Sequence, residues 1–291
     1  MLLMLAILRT DCKSTRTIHR VAGSGSWNVK KVISPERERF QSVCLTTTVT
    51  AVALALLITR HVSPHALLIA CLISALFGAV VWRLRAATTG GVGLGMLFCL
   101  ALLTPARTAT SPSWNSLAAL IALFVLSFAA TRFGRSRKES RGLAEPRRGR
   151  QASQIAANLG AAAIFATAGS HVGCIAALAE AAADTISSEI GQALGGRVRL
   201  LTTLKIVPAG TDGGVTLPGT LAGISAGMVV TLIGAPPNLR QGMAILAAAT
   251  GGLLFDSLLG ATVERKGWLG NDLVNFTSTV FAAGLAILLA G

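Results

Sequence analysis

The chain has 291 residues, of which 52% are hydrophobic and 13% are charged, and its formal net charge is +14. The apolar residues form long runs with the charges between them, whereas a soluble helical domain would carry charges along one face of each helix. This pattern predicts a polytopic membrane protein and argues against a soluble enzyme. Because no motif that reads DNA or RNA accompanies the positive charge, we do not expect a nucleic-acid partner.

The N-terminal segment, residues 1–41, is basic and Ser-rich. This composition predicts a poorly ordered cytoplasmic tail that precedes a transmembrane helical domain over residues 42–291. The apolar start has no basic region before it and no small-residue cleavage site after it, so we do not expect a signal peptide. The five cysteines include no Cys-x-x-Cys pair, so neither a disulfide framework nor a zinc site is expected.

Nine apolar runs are long enough to predict membrane-spanning helices, which gives an all-α bundle of about nine spans. The runs lie at about 43–59, 66–82, 90–106, 114–132, 152–169, 171–193, 215–234, 242–262 and 273–290. The third run contains Gly90, Gly91, Gly93 and Gly95, so a broken or re-entrant helix is an alternative there.

Lys and Arg are distributed unevenly between the connections of these runs. With the N-terminus in the cytoplasm, all 26 except Arg60, Arg107 and Arg240 fall in the tail or in cytoplasmic connections. The positive-inside rule predicts this bias, so we expect the N-terminus inside and the C-terminus outside. The most basic connection, residues 132–151, is interpreted as the strongest topology anchor.

The sixth run carries carboxylates inside an Ala-rich segment. Glu180, Asp184 and Ser188 are spaced i, i+4, i+8 and so share one helical face, whereas Glu189 lies well round from Asp184. A membrane-buried acid is costly unless it faces a wet cavity, a cation or a hydrogen-bonding partner, so these acids predict a functional site.

A basic connection follows this helix and ends in a Gly-rich turn. Arg199 and Lys205 lie in the connection, and Gly213 and Gly214 come just before the next helix. Unpaired backbone N–H groups and the dipole at a helix N-terminus favour an anion such as phosphate. The glycines alone are weak support, because such a pair is more often only a turn.

Polar residues on other helices are predicted to reach the same membrane face. Asp256 lies towards the inner end of the eighth run, Asn271 and Asn275 lie at the start of the ninth helix, and Asn158 lies near the inner end of the fifth. Carboxylates with amide and hydroxyl oxygens beside a Gly-lined loop suit a nucleotide or diphosphate bound with Mg²⁺. The sequence contains no Gly-x-x-x-x-Gly-Lys-Ser/Thr, His-Glu-x-x-His or Gly-x-Ser-x-Gly motif.

Four of these stretches resemble one known family. They are Asp184-Thr185-x-x-Ser188-Glu189, Gly210-Thr211-Asp212-Gly213-Gly214-Val215-Thr216 with Gly219, Asp256-Ser257-x-Leu259-Gly260-Ala261-Thr262, and Asn271-x-x-x-Asn275. Their order and spacing resemble the integral-membrane family known as domain of unknown function ninety-two, which includes human transmembrane protein nineteen and the phytyl-phosphate kinase of plants and cyanobacteria. Ile33-Ser34-Pro35, Arg150 and Asn158 extend the resemblance upstream.

The resemblance implies an isoprenoid-phosphate kinase, which transfers a phosphoryl group from a nucleoside triphosphate to an isoprenoid monophosphate. The family is variable at the position of Asp212, where Asn also appears, and Glu264 stands where a Gln is usual. The expected catalytic and Mg²⁺-binding residues are Asp184, Glu189 and Asp256. The expected substrate- and phosphate-binding residues are Arg150, Asn158, Ser188, Arg199, Lys205, Thr211, Asp212, Gly213, Gly214, Asn271 and Asn275.

Three alternatives stay open. A membrane cytidylyltransferase acting on a lipid phosphate needs the same Mg²⁺, nucleotide and lipid-phosphate parts. A lipid or ion transporter would place its acids near the bilayer midplane on paired interrupted helices, and a scaffold would tolerate the loss of Asp184 and Asp256. We expect a multi-pass protein of a prokaryotic cytoplasmic membrane that meets a membrane lipid or isoprenoid phosphate and a nucleotide.

Overall fold

The computed structural model describes residues 33–104, 113–145, 149–235 and 238–291. Apart from one two-stranded ladder, the regular elements of these residues are helices. They are α1 (Pro35–Ile58), α2 (Pro64–Arg83), α3 (Thr89–Leu103), α4 (Trp114–Arg132), α5 (Arg135–Ser140), α6 (Ala152–Thr167), α7 (His171–Leu194), β1 (Arg199–Leu200), β2 (Gly214–Val215), α8 (Leu217–Gly234), α9 (Leu239–Leu259), a π-helical turn (Gly260–Glu264) and α10 (Asn271–Ala290).

The helices match the apolar runs in number and position, apart from α5, which lies in the basic connection. Six of them are long and apolar enough to cross a membrane: α1, α2, α4, α8, α9 with its π-helical turn, and α10. The chain is therefore an all-helical integral membrane protein. Helices α3 and α6 are shorter apolar helices, and α7 carries three carboxylates, so nine full crossings and the cytoplasmic N-terminus stay predictions.

Helix α3 is the segment for which a broken or re-entrant helix was an alternative. Its 15 residues form one uninterrupted α-helix despite four glycines. At 1.5 Å per residue it is about 22 Å long, which is shorter than a hydrocarbon core of about 30 Å. Most of its second half is buried among other helices, so α3 belongs to the core of the bundle.

The first helix begins earlier than its apolar run. The Ser34 hydroxyl accepts a hydrogen bond from the Arg37 N–H at 3.3 Å, and Pro35 occupies the first turn, where a missing N–H costs nothing. Residues 35–41 therefore belong to α1 and not to a poorly ordered tail. The rest of the predicted tail, residues 1–32, and Arg107 lie outside the described residues.

Helix α7 occupies the centre of the bundle, and most of its residues are buried against α4, α6, α8, α9 and α10. Small residues bring α8 very close to it. A Cβ atom on Gly219 would lie 2.6 Å from the Ser187 carbonyl oxygen, and one on Gly223 would lie 2.5 Å from the Ala183 carbonyl oxygen. Such glycines at every fourth position allow membrane helices to pack backbone against backbone.

One end of the bundle carries most of the polar contacts between distant segments. Ser42 at the start of α1 donates to Asp272 at the start of α10 at 2.7 Å, and Asn275 donates to Asn158 of α6 at 3.4 Å. The C-terminal ends of α7 and α9 lie at this same end, because α7 runs antiparallel to α6 and α9 runs antiparallel to α10. We call this end the site face.

Candidate functional site

A cavity of about 190 Å³ opens at the site face between α7, the 209–216 loop, the end of α9 and the start of α10. We call it the polar cavity. Its wall contains the predicted residues Asp184, Ser188, Thr211, Asp212, Gly213, Gly214, Asp256, Asn271 and Asn275, together with Ser187, Gln192, Ser257 and Glu264. Four carboxylates line it, and no described Lys, Arg or His does.

Two of these carboxylates lie side by side at the inner end of the polar cavity. Asp184 is half-buried on α7, Asp256 is 9% exposed on α9, and their side chains are within hydrogen-bonding contact. Two carboxylates cannot both be ionised at such separation without a proton or a cation between them. A shared proton or a bound cation would each relieve the repulsion between the two carboxylates.

The Gly-rich loop forms the outer wall of the cavity and is held against the end of α9. Gly213 has φ +72°, and a Cβ atom there would overlap the backbone of Ala261. Gly260 lies against the same loop, because a Cβ atom added there would lie 2.7 Å from the Gly213 nitrogen. Only glycine fits both requirements at position 213, a left-handed backbone and contact with another backbone.

The end of α9 widens into the π-helical turn, which places Glu264 in the cavity wall. Single π-turns are frequent at functional sites, because the extra residue redirects the side chains that follow. At the end of the 209–216 loop, Thr216 caps α8 by accepting from the Gly219 N–H at 3.2 Å. The positive end of the α8 dipole thus lies at the cavity.

Glu189 does not reach the polar cavity. Its carboxylate is 6% exposed and forms an ion pair with Lys138, which is fully buried on α5. Thr131 also donates to it at 3.2 Å. The helical rotation that separates Glu189 from Asp184 points it towards α4 and α5, so we remove Glu189 from the expected metal ligands and interpret it as a structural residue.

Arg199 and Lys205 also lie away from the cavity wall. Arg199 is exposed in β1, and its guanidinium donates to the Leu204 carbonyl at 2.8 Å. Strand alternation turns the neighbouring Leu200 inward and Arg199 outward. Lys205 is exposed in the turn between β1 and β2. The expected role of these two residues as phosphate ligands is therefore not supported by their positions.

Arg150 and Asn158 line a second, larger cavity of about 580 Å³ between α2, α3, α4 and α6. We call it the apolar cavity. The two cavities meet at Asn158, because Asn275 of the polar cavity donates to its side-chain oxygen. Arg150 interacts electrostatically with Asp184 across the same junction. The two cavities are therefore adjacent at this junction.

The backbone holds Arg150 in place at this junction. Its N–H donates to the Ala86 carbonyl at 3.0 Å, and its carbonyl accepts from the Thr88 N–H at 2.9 Å. The preceding Gly149 has φ +79°, and a Cβ atom there would lie 2.6 Å from the Ala86 carbonyl carbon. The turn between α2 and α3 thus fixes the position of the Arg150 backbone, from which the side chain extends.

Glu180 lies one helical turn below Asp184 and is 1% exposed. Neither of its carboxyl oxygens has a hydrogen-bond partner among the described residues. The nearby Ser278 hydroxyl donates instead to the Asn275 carbonyl at 2.9 Å.

Gln192 also lines the polar cavity, although it is not among the residues expected from the sequence. It follows Ser188 by four residues and so shares its helical face, and this spacing could have identified it.

The donor set of the polar cavity fits Mg²⁺. No three His, Cys, Asp or Glu side chains converge as a complete ligand cluster in the described part of the chain. Mg²⁺ does not need one, because it is bound by one or two carboxylates together with substrate phosphates and water. A cavity lined by acids would repel a phosphate unless a cation accompanied it. Asp184 and Asp256 are the residues that would hold this cation.

Comparison with known proteins supports the resemblance of the motifs. The model of the family described as Integral membrane protein DUF92 matches residues 72–283. The uncharacterised membrane protein sll0875 of Synechocystis is 32% identical over 189 residues, which cover 60% of this chain and 73% of that protein. The uncharacterised membrane protein MJ0933 of Methanocaldococcus jannaschii is 34% identical over 181 residues, with 58% and 74% covered.

A plant protein matches over a similar part of the chain. Protein VTE6, chloroplastic, of Arabidopsis thaliana is 34% identical over 190 residues, which cover 58% of this chain and 56% of that protein. The match thus spans just over half of the plant protein's length. No solved structure matches the chain. Because the family model covers most of the sequence, this chain belongs to the integral membrane protein DUF92 family.

Proposed function

We propose that this protein is an integral membrane kinase that transfers the terminal phosphoryl group of a nucleoside triphosphate to an isoprenoid monophosphate. The observation that carries the proposal is the Asp184–Asp256 carboxylate pair, which lies in a phosphate-sized polar cavity that meets a large apolar cavity. The chain also resembles a family that includes a phytyl-phosphate kinase, and this resemblance supports the same reaction.

The reaction balances without a covalent enzyme intermediate. An oxygen of the lipid monophosphate attacks the γ-phosphorus of the nucleotide, a new P–O bond forms, and the bridging bond between the β- and γ-phosphates breaks. The products are the lipid diphosphate and a nucleoside diphosphate. Because the attacking oxygen is already anionic, no general base is required, and the protein has to position the two substrates and neutralise their charge.

The nucleotide phosphates are proposed to bind in the polar cavity. Asp184 and Asp256 would hold Mg²⁺, which when bound neutralises the phosphate oxygens. The Gly213 N–H and the N-terminus of α8 supply fixed donors at the outer wall, whereas the Gly214 N–H is already donated to the Thr211 carbonyl at 2.9 Å. Asn271 and Ser188 offer neutral donors that do not add charge.

The lipid phosphate is proposed to bind where the two cavities meet. Arg150 offers a guanidinium there, and neither of the two ion pairs found among the described residues involves it. Guanidinium binds phosphate in a bidentate manner, which fixes both position and orientation. Asn158 and Asn275 lie between Arg150 and the nucleotide side, so the two phosphates would approach each other at these amides.

The experiment uses purified full-length protein in detergent with Mg²⁺. Nucleoside triphosphates labelled at the γ-phosphate are supplied one at a time with phytyl, geranylgeranyl or undecaprenyl monophosphate, and the lipid products are separated. We expect labelled lipid diphosphate from wild type and none from Asp184→Asn, whose folding is checked by thermal unfolding.

Two other results would contradict the kinase. Transfer of the nucleotide itself to the lipid, seen with a base-labelled CTP, would establish the cytidylyltransferase alternative. Absence of any turnover from folded protein across the whole panel would favour transport. We place the protein in a prokaryotic cytoplasmic membrane with the site face inside, which accessibility of a single cysteine introduced beside Lys205 would test in intact cells.

A further inference from the structure

The apolar cavity is a candidate binding site that the motifs do not assign. We propose that it holds the hydrocarbon chain of a single-chain isoprenoid phosphate, and that the space in front of Gly95 sets the longest chain accepted. This inference rests on the proposed function for the identity of the lipid, but its binding measurement does not depend on catalysis.

The wall of the apolar cavity changes character from one end to the other. The deep part is formed by Phe77, Met96, Leu120, Leu123 and Phe124. The end at the site face is formed by Arg85, Arg132, Arg135, Glu145, Arg150 and Asn158. An apolar interior below a polar mouth is the arrangement that an amphipathic lipid requires.

The mouth is complementary to a phosphate. Among its described residues, four are arginines and Glu145 is the one acidic residue. Arg132 lies with its guanidinium carbon 3.4 Å from the centre of the Phe128 ring, and Arg135 is paired with Glu139 at 3.0 Å. Arg150 has neither kind of contact with the described residues, and it is the mouth arginine that interacts electrostatically with Asp184 of the polar cavity, so it is the arginine placed to meet the transferring group.

The volume favours one chain over two. At about 580 Å³ the cavity lies in the usual range of about 300–1,000 Å³ for pockets that enclose one small ligand. Its walls are four packed helices, and the Phe77–Phe124 edge-to-face pair, with ring centroids 5.5 Å apart, forms part of its deep wall.

Gly95 lies where a larger side chain would narrow the apolar cavity. It lines the cavity, and a Cβ atom added there would meet no atom within 4 Å, so a larger side chain would extend into the cavity and not into the protein. Gly93 on the same helix also has no atom within 4 Å of an added Cβ, but it does not line the cavity and is exposed. The two glycines form a matched pair for substitution.

The first arm of the test measures chain-length preference. Wild type, Gly95→Leu and Gly93→Leu are assayed with geranyl, geranylgeranyl and undecaprenyl monophosphate. We expect Gly95→Leu to lower kcat/KM for geranylgeranyl monophosphate at least about tenfold while geranyl monophosphate is used as by wild type, since the added side chain removes only the deep space. Gly93→Leu should behave as wild type throughout.

The second arm measures binding without turnover. A photoactivatable geranylgeranyl monophosphate is cross-linked to each protein, and the labelled peptides are identified by mass spectrometry. We expect labelling of α2, α3 and α4, reduced in Gly95→Leu and competed by unlabelled geranylgeranyl monophosphate. This labelling is expected even if no phosphoryl transfer is detected, which separates failure of this inference from failure of the kinase proposal.

Three results would overturn the inference. The first is equal loss of all chain lengths in folded Gly95→Leu. The second is labelling confined to helices outside the cavity. The third is competition by phosphatidic acid that is stronger than competition by geranylgeranyl monophosphate, which would identify a two-chain bilayer lipid as the occupant.

Discussion

The replacement of Glu189 by glutamine separates a structural carboxylate from a catalytic one. Glu189→Gln keeps the shape of the side chain but removes the negative charge beside the fully buried Lys138 ammonium. Lys138 would keep its hydrogen bonds to the carbonyl oxygens of Ala130 at 3.1 Å and Thr131 at 2.9 Å. The variant therefore leaves a buried cation with neutral partners only.

The magnitude follows from these contacts. Removing one partner of a buried ion pair costs about 3–5 kcal/mol, because the remaining charge is left in a medium of low polarity. The two carbonyl contacts of Lys138 put the loss at the lower end, about 3 kcal/mol. For a domain of this size, 1 kcal/mol shifts the unfolding temperature by about 2–4 °C, so we expect a fall of about 6–12 °C.

The assay heats purified protein in detergent and measures the fraction that stays monodisperse. Glu139→Gln is the matched control, because the Glu139–Arg135 pair is exposed and contributes about 1 kcal/mol or less. Replacing both Lys138 and Glu189 by methionine should restore most of the lost stability. A Glu189→Gln protein with unchanged stability and no phosphoryl transfer would refute this reasoning, since Glu189 would then act in the chemistry.

Three further substitutions test the packing of the site. Gly213→Ala is expected to lower stability by about 1–3 kcal/mol and to abolish turnover, because φ +72° and the contact with the end of α9 exclude a Cβ atom. The control is Gly242→Ala, which should change neither stability nor turnover, because a Cβ atom there meets no neighbour. Glu180→Gln is expected to raise the unfolding temperature by a few degrees, since it removes one of three neighbouring buried carboxyl groups. Gly149→Ala is expected to displace Arg150 and to raise KM for the lipid phosphate several-fold while KM for the nucleotide is unchanged.

Each of these results has a clear opposite. Wild-type turnover in Gly213→Ala would mean that the loop does not pack on α9 as described. A lower unfolding temperature in Glu180→Gln would mean that this carboxyl group stabilises the fold. An equal rise of both KM values in Gly149→Ala would remove Arg150 from a specific role at the lipid phosphate.

The sequence was informative about the helices because apolar runs and helix ends carry local signals. It did not predict the early start of α1, since Ser34 and Pro35 begin the helix in a polar segment that a search for apolar runs does not detect. It also missed α5, because six polar residues in a basic connection have no apolar periodicity. Lys138 on α5 then provides a partner that no pattern around Glu189 indicates.

The candidate site was predictable to the extent that its residues lie at helix ends on one face. Asp184, Asp256 and Asn275 lie around one cavity for that reason. The orientation of Arg199 depends on the two-residue pairing of β1 with β2, which is too short to have a sequence signature. The apolar cavity is the space left between four helices, and such a space is a property of packing that no single segment encodes.

The most direct measurement of the central claim compares three carboxylates in one phosphoryl-transfer assay. Initial rates per folded molecule are determined for wild type, Asp184→Asn, Asp256→Asn and Glu189→Gln with saturating Mg²⁺, nucleotide and isoprenoid monophosphate. We expect Asp184→Asn and Asp256→Asn to lose about 100-fold or more in rate without loss of stability, and Glu189→Gln to lose stability while its folded fraction keeps most of its rate. Transfer that persists in either aspartate variant would contradict the account, because the carboxylate pair could not then be the centre of the reaction.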